Sequence, residues 1–247
     1  MRPVVRGPVP TQPNGQPKTV KHYQDWRADL IGRLGPYCCY CNIRLNDSPQ
    51  VEHVSPKSLV PALRLAWDNM LLACGACNAT KNNRPCTPVL HYLPDYHNTH
   101  LAFTHRQRPH KKQAGSMAAF IVPRPGLTAT KLPKARATIG LCGLARVEQP
   151  ARQSRRASDL RWLYRFEAHE LATRYRAGWD TLSGAFATQF LVMLQDLARE
   201  KGFFSIWFDA FRDVPAVKEA LILAFPNTAA CFPAPDYDPK PRILGDL

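Results

Sequence analysis

The sequence predicts an α+β protein in which a small module organised by a zinc site is followed by a mostly helical C-terminal domain. Two observations carry that expectation. One is a pair of Cys-x-x-Cys motifs, Cys38/Cys41 and Cys74/Cys77; the other is the recurrence of apolar residues at steps of three and four beyond about residue 151. A chain of 247 residues, 45% apolar and 10% aromatic, is long enough for one sizeable core or two small ones and too apolar to be disordered throughout.

Residues 1–17 are rich in proline and carry no hydrophobic period, which predicts an extended arm with little helix. Tyr23, Trp26, Leu30 and Leu34 share one face of a short helix that Gly35-Pro36 ends, so residues 1–34 read as arm and helix. Residues 35–100 form the zinc module. Residues 101–150 read as an irregular basic connector, with His105, Arg106, Arg108, His110, Lys111 and Lys112 clustered in it, either touching DNA or simply solvated. Residues 151–247 are the helical domain. Within Ser154–Tyr175, the residues Leu160, Leu163, Tyr164, Ala168, Leu171 and Tyr175 align on one stripe, with Arg155, Arg156, Arg161, Arg165 and Arg174 mostly elsewhere. A second helix over Thr181–Glu200 carries Phe186, Phe190, Met193, Leu194 and Leu197, and shorter ones are expected across Phe203–Phe211 and Val214–Ala224. Pro226, Pro233, Pro235, Pro239 and Pro241 then make a tail without regular structure. No apolar run is long enough to span a membrane, and prolines stand where a signal peptide would be apolar, so a cytoplasmic protein is expected.

The formal charge of +14 points to a polyanionic partner, because clustered Lys and Arg displace condensed counterions from a phosphate backbone. A basic surface that only confers solubility is the alternative. Of the eight cysteines, Cys39, Cys86, Cys142 and Cys231 follow no pairing pattern. The other four have metal-ligand spacing, and reduced cytoplasm disfavours a disulfide framework. Each Cys-x-x-Cys turns two thiolates toward one ion, and two such knuckles close a tetrahedral structural zinc site across the loop 42–73. Cys38 has the required spacing, with its neighbour Cys39 left open. A module this small buries too little apolar surface to fold without the metal cross-link.

Between the knuckles lie Val51-Glu52-His53-Val54-Ser55-Pro56-Lys57 and Ala66-Trp67-Asp68-Asn69-Met70-Leu71-Leu72, and the second knuckle continues as Cys74-Gly75-Ala76-Cys77-Asn78-Ala79-Thr80-Lys81. This order, over residues 38–85, resembles the HNH endonuclease family. The resemblance implies a ββα-metal fold, a two-stranded hairpin followed by a helix, and hydrolysis of DNA phosphodiester bonds with little sequence specificity. It makes His53 the general base, a role suited to imidazole because its ordinary pKa of about 6.5 leaves it neutral yet basic. It makes Glu52 and Asn78, with Asn82 one helical turn further on, the holders of a catalytic Mg²⁺ or Mn²⁺, and Asn69 the tie between the connecting loop and the strand of the base. Asn78 stands where many members have His. Strand alternation puts Glu52 and His53 on opposite faces unless the strand bends there; without a bend, Glu52 would orient another group instead. Trp67, Leu71 and Leu72 are the module's core, and Lys57, Arg64, Lys81 and Arg84 are either phosphate contacts or solvated charges. A zinc module that docks nucleic acid or protein without catalysis is the alternative. Zinc-stapled HNH chains with helical C-terminal halves also resemble the effector nucleases of Septu-type and retron anti-phage systems, which implies an ATPase partner.

Overall fold

A computed structural model describes residues 1–47, 49–110, 115–147, 159–182, 184–242 and 245–247. Lys111, Lys112, Ser154, Arg155 and Arg156 lie outside the described residues. The architecture is α+β, with two small antiparallel hairpins and a helical C-terminal half.

A 3₁₀ turn over Tyr23–Trp26 leads into α1 (Arg27–Leu34), which buries Trp26, Leu30 and Leu34. The first hairpin pairs β1 (Gln50–His53) with β2 (Met70–Ala73), Glu52 opposite Leu71 and His53 opposite Met70. α2 (Gly75–Lys81) follows at once, capped by the Cys74 sulfur, which accepts from the Cys77 N–H. This is the ββα order. Trp67, Leu71 and Leu72 are buried as a module core requires.

The arm has no helix, but it is not free. Met1, Arg2 and Val4 are buried in the core. Arg2 donates to the carbonyls of Leu34 and Pro226 and to Thr228, and Val4 and Val5 bond to Pro94 and Asn227. The start of the proline-rich stretch is extended with its hydrogen bonds running to other segments, while residues 11–17 fold back on themselves through Gln12 and Gln16.

The stretch read as an irregular connector is folded. A short helix, α3 (Thr99–Ala102), precedes a second hairpin of β3 (Phe103–Pro109) and β4 (Met117–Pro123), and α4 (Lys131–Cys142) follows. The basic residues of β3 conceal a two-residue alternation: Arg106 and Arg108 are exposed, while Phe103 is fully buried. α4 shows almost no amphipathic period, and its Pro133 sits in the first turn, where no amide donor is needed.

In the C-terminal half, α5 (Arg161–Asp180), α6 (Ala187–Lys201), α7 (Phe204–Ala210) and α8 (Pro215–Ala224) enclose a core of Trp207, Phe204, Phe211, Leu221 and Phe225. The apolar stripe expected of α5 is rotated. Its buried face is Arg161, Trp162, Arg165, Ala168 and Ala172, whereas Tyr164 is exposed. On α6, Leu194 is buried but Phe186, just before it, and Met193 are exposed. The tail beyond Pro226 has only a 3₁₀ turn at Ala229–Cys231 among the described residues, and it is pinned by Asn98, which donates to the carbonyls of Cys231 and Lys240. Gly202, at the end of α6, joins the two halves. At φ 74° it approaches so closely that a Cβ there would lie 2.6 Å from the Asn42 carbonyl in the first knuckle.

Candidate active site and zinc centre

The sulfurs of Cys38, Cys41, Cys74 and Cys77 all lie within 4.8 Å of one another, and the Cys41–Cys74 separation is 3.7 Å. Four sulfurs about 2.3 Å from one zinc ion would stand about 3.8 Å apart, so the cluster has the dimensions of a closed tetrahedral site. Cys39 is outside it. Its N–H donates to Leu72, stitching the knuckle to β2. Sequence reasoning missed the cation beside the cluster. Arg161, 3% exposed, donates to the Cys77 sulfur at 2.9 Å and to the carbonyls of Cys142 and Gly143, while Asp159 holds the other side of its guanidinium. A zinc ion with four thiolates carries a net charge of about −2, and a buried guanidinium beside one sulfur offsets part of it.

Beside the cluster a cleft of about 350 Å³ is lined by His53, Gln50, Asn78, Asn82, Lys57 and Tyr23, among others. His53 and Asn78 therefore share one opening. β1 and α2 place them there by simple geometry. Gln50 and Glu52 alternate onto the strand face that α2 covers, and Asn78 and Lys81, three residues apart, point down from the helix to meet them. Asn78 donates to Gln50 at 2.8 Å, and Lys81 pairs with Glu52 at 2.7 Å. His53 sits at the strand end, against the Tyr23 ring at 4.5 Å.

The Nε2 of His53 lies 3.0 Å from the Arg64 carbonyl. A carbonyl only accepts, so Nε2 carries the hydrogen and Nδ1 is left with its lone pair. Burial lowers the His53 pKa below the ordinary imidazole value, and Lys57 and Lys81 lower it further against the bond to Arg64. The ring is neutral at cellular pH. Asn69 is buried and bridges the chain after β1: it accepts from the Ser55 N–H at 2.7 Å and donates to the carbonyls of Ser55 and Leu63.

Two residues are used differently from expectation. Glu52 lines the same cleft, but its carboxylate is committed to protein partners. Its carboxylate is 3% exposed and taken up by Lys81 and by the Tyr40 hydroxyl at 2.6 Å, and burial still raises its pKa despite both partners. Lys81 is no phosphate contact either, since it is fully buried and its ammonium also donates to the His53 carbonyl. Asn82 does not continue the face of Asn78: α2 stops at Lys81, and Asn82 is its cap with φ 47°. It reaches the cleft from that turn. Arg84 is exposed but held by the carbonyls of Thr80, Gly140 and Leu141, and Lys57 and Arg64 are exposed as well. For a catalytic ion, the accessible donors are the amide oxygens of Asn78, Asn82 and Gln50. Neutral oxygens suit Mg²⁺ or Mn²⁺, with water and substrate phosphate completing the shell.

Residues 38–84 match the HNH endonuclease family. The chain carries an HNH domain. Beyond it, the Septu protein PtuB of Bacillus thuringiensis is 32% identical over 69 residues, 26% of this chain and 27% of that protein, so the chain spans about a quarter of the length of this relative. No solved structure matches. No helix among the described residues is long and apolar enough to cross a membrane.

Proposed function

We propose that the chain is an endonuclease that hydrolyses DNA phosphodiester bonds with the help of a divalent ion, acting in the cytoplasm as the effector of an anti-phage defence system. The observation that supports it most is the shared cleft, in which a neutral imidazole with a free Nδ1 and a half-buried amide face the same space. In this reading His53 Nδ1 takes a proton from the attacking water, and the Arg64 carbonyl steadies the imidazolium that forms. Asn69 holds the strand end so that the ring keeps its direction. Asn78 and Asn82 would hold a Mg²⁺ or Mn²⁺, which when bound would supply stabilisation of charge growing on the leaving 3′ oxygen. Little sequence specificity is expected, because the cleft offers amides and Lys57 and no element shaped to read base edges. The similarity to the Septu protein PtuB supports the defence setting, in which we propose that the chain works with an ATPase partner.

The test uses supercoiled plasmid with Mg²⁺ or Mn²⁺. His53→Ala is expected to bind DNA as the parent does but to stop nicking. Unchanged nicking by that variant would overturn the base assignment, and no cleavage by the parent with any divalent ion would favour a docking module.

A further inference from the structure

Away from the cleft, a groove of about 370 Å³ runs between the second hairpin and α4, with Arg106, Arg124 and Arg136 on its walls over a floor that includes Val122, Leu127 and Leu132. No carboxylate lines it. Two of the three guanidiniums are unspent. Arg124 is tied to Asp209 and to the His100 carbonyl. Arg106 and Arg136 are exposed, and neither meets an acidic side chain among the described residues. The neighbouring Arg108 differs, since its guanidinium lies over the Phe120 ring at 4.9 Å. An arginine can also serve simply to blunt an edge strand. That account covers one residue on β3, but it does not bring a second free guanidinium from α4 to the opposite wall.

We propose that this groove is a second binding site for the phosphate backbone of duplex DNA, outside the cleft, with Arg106 and Arg136 each contacting a phosphate. Guanidinium forks match phosphate oxygens, and an apolar floor suits the deoxyribose faces between them. The groove is connected to the cleft through one rigid element. Arg84, next to the cleft residues Asn82 and Asn83, grips the last turn of α4 at Gly140 and Leu141, while Leu132 and Arg136 stand toward the other end of the same helix. From Leu132 to Leu141 α4 rises about 14 Å, or roughly four base-pair steps. The site would lengthen the grip on a substrate without reading its sequence. The choice of DNA rests on the nuclease reading above; the phosphate contacts do not.

The experiment measures binding of a 5′-labelled duplex of about 30 base pairs in buffer without added Mg²⁺ or Mn²⁺, by fluorescence anisotropy across a salt series, with the full chain loaded with zinc. The variants are R106Q/R136Q and, as a control for bulk charge, R108Q. Losing two phosphate contacts is expected to reduce the slope of log Kd against log salt by about 1.8, with R108Q close to the parent. In plasmid cleavage the double variant is expected to raise KM and leave kcat unchanged, because its residues are remote from the reacting atoms. An unaltered slope, or an equal loss in R108Q, would overturn the site; a loss seen with an RNA duplex and absent with DNA would overturn the assignment to DNA. Because binding is read without cleavage, failure of the parent to cut would count against the nuclease reading and leave the groove standing. Unchanged melting temperatures of both variants check that the fold is intact.

Discussion

Lys81→Met is the perturbation that tests most directly how the helix holds the strand of the base. The ammonium of Lys81 lies 2.7 Å from a Glu52 oxygen, with side-chain exposures of 0% and 3%. At an effective dielectric of about 20, two unit charges at that distance attract by about 6 kcal/mol, most of which is offset by the cost of taking both out of water. Removing only the cation leaves that cost on Glu52, and such a loss destabilises by about 3–5 kcal/mol. Methionine nearly preserves the length of the stem, so packing changes little and the charge is what is removed. The effect should depend on pH in a definite direction. Glu52 already has a pKa raised by burial, and loss of the Lys81 contribution raises it further. A carboxyl whose folded pKa exceeds its unfolded value costs stability above that unfolded value, and the cost vanishes once both states are protonated. The deficit of Lys81→Met relative to the parent is thus expected to be full near neutrality and to shrink as pH falls toward the ordinary Glu value. Urea unfolding of zinc-loaded protein between about pH 8 and about pH 5.5 reads this difference. A second variant, Glu52→Gln/Lys81→Met, should recover part of the loss because no bare carboxylate remains. A deficit under about 1 kcal/mol at neutral pH, or one that does not change with pH, would refute the reasoning.

Four further outcomes follow from the same geometry. Cys74→Ser should release zinc and unfold the hairpin module, measured as metal content and loss of cooperative melting. Arg161→Met should leave the four sulfurs in place yet speed zinc transfer to a chromophoric chelator, because the cluster loses the guanidinium beside Cys77; an unchanged rate would deny that role. The acid limb of the pH profile of kcat/KM should lie below the ordinary imidazole value, since burial lowers the His53 pKa and the base stays unprotonated further into acid. Asn69→Ala should cost about 1–3 kcal/mol of stability, leaving the Ser55 amide and two carbonyls without their buried partner, and should lower kcat more than it raises KM.

The parts of this protein that were legible in the sequence are those set by local rules. Two knuckles announce four sulfurs, and Gly35, the prolines after 225 and the apolar steps in 23–34 and 214–224 mark where helices begin and end. The order of the motifs placed His53 and Asn78 near each other. What was not legible depended on partners distant in sequence. Glu52 reads equally well as a metal ligand or as a buried partner, and only the register of Lys81 over β1 settles where its carboxylate goes. β3 hid its alternation because the residues facing outward are the basic ones that make the stretch look like a linker.

The rotated face of α5 shows the limit most clearly. A hydropathy stripe assigns arginine to solvent, since leaving a guanidinium unpaired in a core is costly. Arg161 and Arg165 are nevertheless buried: the first finds sulfur and carbonyls, whereas the second has the Ala119 carbonyl alone, its Nε and Nη2 being without a partner. For Arg161 the cysteine cluster reverses the rule, because an anionic sulfur beside a buried guanidinium offsets part of its desolvation cost. Read from α5 alone, the arginines are a solvated edge. Read with a knuckle 84 residues earlier, Arg161 is the residue that ties α5 to the cysteine cluster.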